Sequence, residues 1–277
     1  MTFPHDFNMM AQEGHLVGVS FLTGFYLFNR TTFDRPGTFY SSFFEFSTGF
    51  ERLMKIVVIL DHKTKNDLRS PTDKQLRSLG HSIIECYNAC RTIADARGLA
   101  VPEEWFSEGS LEYGVLSFFS EFAQGSRYYN LDQLVQGRTT NGPLIQWYKV
   151  HTSVVERYLP LHKREAIMQR ARDHCERYKL FGWERGPSGE FELSIDVTYQ
   201  LEVFRKTRGH CVWTIIKILR PFYELLDRLC DEVHAIAISK AIETPTVPYM
   251  KEFVPFFLCD RQSAIRRKDW LSLGFGI

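Results

Sequence analysis

No charge of one sign dominates this chain: 34 Lys and Arg stand against 33 Asp and Glu, a formal net charge of +1. A global pull toward nucleic acid or an anionic membrane is therefore absent. Long apolar runs are lacking as well. The most apolar early stretch, residues 16–28, is well short of the roughly 20 residues that span a bilayer. The later run 211–219 contains Lys217 and is followed by Arg220. Asp6 and Glu13 interrupt any secretory leader pattern at the start. The six cysteines, Cys86, Cys90, Cys175, Cys211, Cys230 and Cys259, fall mostly in apolar or helical runs. Thiols there pack as small hydrophobes, and a chain of this size needs no disulfide framework. The expectation is a soluble protein of a reducing cytoplasm that makes no membrane contact.

The common catalytic signatures are missing too. There is no glycine-rich loop ending in Gly-Lys-Ser/Thr, no Gly-x-Ser-x-Gly elbow, no His-Glu-x-x-His and no Cys-x-x-Cys. His81, Cys86 and Cys90 come nearest to a metal set. On one helix, however, His81 lies about 140° from Cys86, so two core thiols and a separate histidine are the expected reading. Neither metal nor cofactor is expected.

What the chain does have is aromatic mass. Aromatics make up 14%, and eleven of the 23 phenylalanines fall in the first 50 residues. Aromatic rings bury large areas, so this part predicts a thick core or a partner interface. With 277 residues and 44% hydrophobic content, the chain can bury a core of its own.

The apolar period is mostly helical. Residues 6–30 have helical density despite Gly14, Gly18 and Gly24. Residues 31–37 read as a turn. In residues 38–62, Phe43, Phe46, Phe50, Leu53, Met54, Val57 and Val58 follow one helical stripe. Ser70 before Pro71 predicts a helix start, running to Arg97 and stopping at Gly98. Further helices are predicted over 111–123, 131–135, 143–157 and 161–178, with Pro160 as a break. Residues 180–195, around Gly186-Pro187-Ser188-Gly189, read either as a small β-hairpin or as an ordered loop. Residues 196–205 read as helix, with a break or bend at Gly209. A long helix over 211–241, kinked at Pro221, follows. Pro245, Pro248 and Pro255 end the regular pattern, and Arg261, Arg266, Arg267 and Lys268 form a basic cluster. The expected architecture is one all-α domain over 1–244 with a proline-containing, basic C-terminal extension over 245–277.

Arginine paired with histidine is the remaining chemical signal. RNA carries its own nucleophile, the 2′-hydroxyl beside the phosphate. Cleaving it needs a group that takes that proton and a cation that holds the developing charge. Histidine suits the first role and arginine the second. Three pairs have four or five intervening residues: Arg157/His162, Arg205/His210 and Arg228/His234. About two would arise by chance in this composition, so spacing alone carries no weight.

The stretch Phe43-Phe44-Glu45-Phe46-Ser47-Thr48-Gly49-Phe50-Glu51-Arg52-Leu53-Met54-Lys55 resembles the second-helix segment of HEPN-type proteins. Leu79-Gly80-His81-Ser82-Ile83-Ile84 is similar to the Gly-His-x-hydrophobic turn that opens their next helix. The resemblance implies a HEPN-like helical bundle with extra helices, commonly a homodimer. It also implies a metal-independent endoribonuclease of a toxin–antitoxin or antiviral defence system, with RNA as substrate and an antitoxin or other protein as a further partner. The family's Arg-x4–6-His motif, set near the start of a late helix, matches Arg205-Lys206-Thr207-Arg208-Gly209-His210 best. By that resemblance Arg205 and His210 are the catalytic pair, and Lys206 and Arg208 bind phosphate. Lys206 departs from the small polar residue usual after the arginine. The endoribonuclease is the leading expectation; the alternative is a non-catalytic HEPN-like module that binds a nucleotide, RNA or a protein, which that departure and the near-zero net charge favour over an indiscriminate nuclease.

Overall fold

The computed structural model describes residues 3–33, 35–77, 79–101, 103–136 and 142–273. Helix α1 (His5–Phe28) and helix α2 (Gly37–Lys65) lie side by side and carry the phenylalanine-rich segment. They are followed by α3 (Asp73–Arg77), α4 (Ile83–Asp95), α5 (Leu111–Gln124), α6 (Tyr129–Gln136), α7 (Pro143–Tyr158) and α8 (Leu161–Tyr178). Strands β1 (Trp183–Arg185) and β2 (Phe191–Leu193) form an antiparallel hairpin. Helix α9 (Ser194–Ser239) and the short α10 (Arg261–Arg266) complete the fold.

The aromatic residues do what their size favours, and interlock. Phe21 meets Phe50 edge-on at 5.1 Å, Phe25 meets Phe46 at 5.2 Å, and Phe43 meets Phe118 of α5 at 4.8 Å. Trp147 of α7 closes this layer at 5.3 Å from Phe43. Pairs at these distances and tilts add to the area term. Gly24 belongs to the same packing, because a Cβ there would overlap the ring of Phe46. The stripe of α9 from Val212 to Val233 seals the core from the other side. Arg97, just beyond α4, ties three helices together, bonding Asp61 of α2 and Glu232 of α9 at 2.8 Å each.

Two expected boundaries move. The helix predicted from Pro71 to Arg97 is two helices. Gly80 has φ +57°, a left-handed turn, and Ser82 then caps α4 by accepting from the Glu85 amide at 3.3 Å. The break predicted at Gly209 is absent, since α9 runs without interruption through both Gly209 and Pro221. The C-terminal residues form short 3₁₀ turns, Met250–Phe253 and Pro255–Leu258, before α10. They are irregular but not loose: Met250, Val254, Phe256, Phe257 and Trp270 are buried in the same core as α1 and α9. Among the described residues, no helix is long and apolar enough to cross a membrane.

One buried histidine makes the fold sensitive to acid. His151 of α7 is buried against Thr207 of α9, with 2.7 Å between Nε2 and Oγ1. The Thr207 hydroxyl donates to the Val203 carbonyl, which leaves its oxygen to accept from a neutral imidazole. Burial lowers the His151 pKa from 6.5 to about 4. Between those values the unfolded chain binds a proton that the folded chain refuses, so stability is full above the first value and is lost as pH falls toward the second. The whole interval corresponds to roughly 3 kcal/mol. Denaturant unfolding of the native chain should show a loss of a few kcal/mol on going from neutral pH to about pH 4.5. His151→Gln should lose distinctly less, and equal losses in the two proteins would refute the assignment.

Candidate nucleic-acid interface

Residues 205–210 lie in the interior of α9, where a straight helix places positions 205 and 210 about 140° apart. Arg205 is exposed and pairs with Glu202 one turn earlier at 2.7 Å. Lys206 is exposed and makes no ion pair with any described residue. Thr207 faces the core. Arg208 is half-buried. Burial and the charges of Arg205 and Arg30 lower its pKa from the usual arginine value.

His210 is half-buried on a different side of the helix from Arg205. Its ring stacks on Tyr158, the last residue of α7, with centroids 4.8 Å apart and planes 9° apart. Its Nδ1 is buried without a hydrogen-bond partner. Burial, then the charges of Arg261 and Lys163, lower its pKa below the ordinary histidine value. The imidazole is therefore neutral at physiological pH and half-accessible.

The cation that shares the surroundings of His210 is thus Arg261 of α10, and Arg205 is not. The Arg261 guanidinium lies 5.4 Å from the centre of the Tyr158 ring, and the Lys217 ammonium lies 5.7 Å from it. Lys217 also bonds Glu112, a buried carboxylate at the start of α5 that Arg157 engages at 2.7 Å. Burial alone would raise the Glu112 pKa, but Lys217 and then Arg157 hold it below the usual carboxylate range. That triad is neutralised to the extent of one carboxylate. Arg261, Lys163 and Arg208 have no carboxylate partner among the described residues.

Gly209 explains why these groups meet. It is buried against α10, and a Cβ there would run into the carbonyl oxygen of Ile265, with the Ile265 Cα only 3.0 Å away. Asp260 caps α10, accepting from the amides of Gln262 and Ser263 at 2.9 and 3.0 Å. At its other end Asn29 donates to the Arg267 carbonyl at 3.0 Å, and Arg30 reaches the Lys268 carbonyl at 3.4 Å. The glycine keeps its place in a helix interior, at a cost of about 1 kcal/mol relative to alanine, because two backbones must touch. The basic run of α9 and the basic C-terminal cluster, far apart in sequence, are thereby brought to one helix–helix contact.

The other candidates resolve differently. Arg157 and His162 flank the break between α7 and α8, and Arg157 is held by Glu112. Arg228 pairs with Glu232, and His234 bonds the Val247 carbonyl at 2.9 Å. His81 pairs with Glu51 at 3.0 Å, while Cys86 and Cys90 are buried. Among the described residues no group of three or more His, Cys, Asp or Glu is placed to hold a metal ion. A cleft of about 540 Å³ opens between α1, α2 and the segment around Ser70. Its charged groups already satisfy one another, as Asp6 with Lys63, Glu13 with Arg52 and Glu51 with Lys55. Compared with protein-family models, curated proteins and solved structures, the chain matches none of them.

The Gly209 contact is testable by itself. Gly209→Ala gains helix propensity but forces a methyl group into backbone, which cannot rotate away, so a net loss of about 1–3 kcal/mol is expected in denaturant unfolding. Trypsin should also cut between Arg261 and Lys268 faster than in the native protein. An unchanged or higher stability with unchanged cleavage would contradict the close approach.

Proposed function

We propose that this protein is a HEPN-like module that binds RNA through the surface where α9, α10 and the start of α8 meet. The observation that carries the reading is the crowding of like charge there. Arg208 is surrounded by Arg205 and Arg30, and His210 by Arg261 and Lys163. Apart from Arg205, which Glu202 partners, these cations have no carboxylate partner among the described residues, and a run of phosphates is an anion that can engage several of them. Arg208 and Arg261 are the forks for phosphate, and Lys206 and Lys163 serve as mobile point charges. The family part of the reading rests on residues 43–55 and 79–84, and on the turn at Gly80 that opens α4.

A second reading keeps catalysis. The half-exposed, neutral imidazole of His210 is suited to accept a proton from a 2′-hydroxyl. In that case Arg261 takes the phosphate-holding role first expected of Arg205, because Arg205 points away and is paired with Glu202. Such an enzyme would act without a metal ion, as an endoribonuclease of a toxin or defence system.

Fluorescence anisotropy with a short single-stranded RNA at increasing salt tests both. Affinity should fall with salt, and Arg208→Ala and Arg261→Ala should each reduce the logarithmic slope by roughly 0.7. Arg228→Ala, on a distant exposed position, should leave it unchanged. Salt-independent affinity, or no binding, would overturn the RNA reading. RNA cleavage that His210→Ala abolishes selects the second reading, whereas cleavage that survives His210→Ala removes it.

A further inference from the structure

The cleft between α1, α2 and residues 70–76 has a volume of about 540 Å³. That is within the roughly 300–1,000 Å³ of small-molecule sites. Met9, Met10, Ile56, Ile59 and Leu76 give it an apolar lining. Met10 and Ile56 are buried, while Met9 is 40% exposed. Methionine adapts its shape to an occupant. His5 supplies the only ring among the described lining residues, so no stack is built for a flat base or aromatic group.

The ion pairs around this lining engage its carboxylates more fully than its cations. Asp6 accepts from Lys63 at 3.0 Å and from Ser70 at 3.3 Å. Glu51 accepts from Lys55 at 2.6 Å and pairs with His81 at 3.0 Å. Both oxygens of Glu13 accept from a single nitrogen of Arg52, Nη1, at 2.8 and 2.6 Å. Nε and Nη2 of Arg52 donate to no described residue, and neither does the hydroxyl of Thr48, one turn earlier in the same lining. What the cleft lacks is therefore an acceptor. The open Nε/Nη2 edge of an arginine is the one that takes a carboxylate through two parallel bonds.

The backbone beside the cleft is held in a strained form. Asp67 and Leu68 follow one another at φ 61° and 68°, left-handed values that non-glycine residues adopt at a cost. Lys63, with 4% of its side chain exposed, holds this turn by donating to the Leu68 carbonyl at 3.3 Å while paired with Asp6. The turn leads into Ser70 and Pro71 at the cleft wall. Strain of this kind clusters at ligand clamps.

We propose that the cleft binds an aliphatic monocarboxylic acid, with its chain on the methionine and isoleucine side chains and its carboxylate on the open edge of Arg52. One open positive edge among three carboxylates, Asp6, Glu13 and Glu51, suits a single negative charge and opposes a dianionic phosphate. The inference does not depend on the RNA reading, because the cleft and the α9–α10 seam share no residue.

The test is an NMR titration of the full chain, isotope-labelled at the methionine methyl groups, with dodecanoate below its micelle concentration. The Met9 and Met10 signals should shift to saturation while that of Met168, on α8, stays in place. Decanoate, with a shorter chain, should bind about tenfold more weakly. Dodecyltrimethylammonium, with the same chain and the opposite charge, should leave both signals unmoved. Arg52→Gln should weaken dodecanoate binding about fivefold or more, whereas Glu13→Gln, which frees Arg52, should tighten it. Both positions are half-exposed, so both variants should fold. Met9 and Met10 signals that dodecanoate leaves unmoved, equal binding of the ammonium amphiphile, or native affinity in Arg52→Gln would each overturn the proposal.

Discussion

The contact between Gly209 and the backbone of Ile265 is the constraint on which the candidate surface depends. Two helices approach this closely only where one side chain is missing. Because α10 sits directly on α9, the cations of both elements fall on either side of the seam. Arg208 and Arg30 lie near one edge, and His210, Tyr158 and Arg261 near the other. The aromatic core underneath holds this geometry, with Trp270 packed 4.7 Å from Phe25 so that the end of the chain cannot swing away without exposing a buried indole.

Electrostatics then distinguishes two kinds of basic residue. Lys63, Arg97, Arg157 and Lys217 are matched to carboxylates and hold elements together. Arg208, Arg261 and Lys163 have no carboxylate partner among the described residues: the charges of Arg205 and Arg30 act on Arg208, and those of Arg261 and Lys163 act on His210. Structural ion pairs account for the first set, and the second is the set that the proposed RNA would match. The near-neutral charge of the whole molecule hides this separation, because carboxylates such as Asp61, Glu112 and Glu232 are matched to the structural cations.

Much of the fold was legible from the sequence. The periods of α1, α2, α5 and α7 each bury one face against a shared core, while α8 buries Ile167 in a smaller cluster with Val155, Leu159 and Val203, and period is the direct imprint of one-sided burial. The hairpin stayed ambiguous because its strands are three residues long and its alternation points the unusual way. The helical pattern over 71–97 runs through Gly80, whereas the resemblance over 79–84 implies a turn there, and its positive φ is what glycine supplies. Gly209 was read as a bend. A glycine in a helical pattern signals either a bend or a close neighbour, and the neighbour here lies more than fifty residues further on. The geometry of the candidate pair is hidden from the sequence for the same reason. Arg205 and His210 are close in sequence and diverge on an unbroken helix, while Tyr158, His210 and Arg261 are remote in sequence and meet in space. No local spacing encodes that meeting.

The most direct measurement is a proton NMR titration of the His210 ring, assigned by comparison with His210→Gln, in the free protein and with a short single-stranded RNA. The account predicts a titration below the ordinary histidine range in the free protein, moved upward when the oligonucleotide is present, because phosphate offsets Arg261 and Lys163. An ordinary titration in the free protein, or one that the oligonucleotide leaves in place, would contradict it.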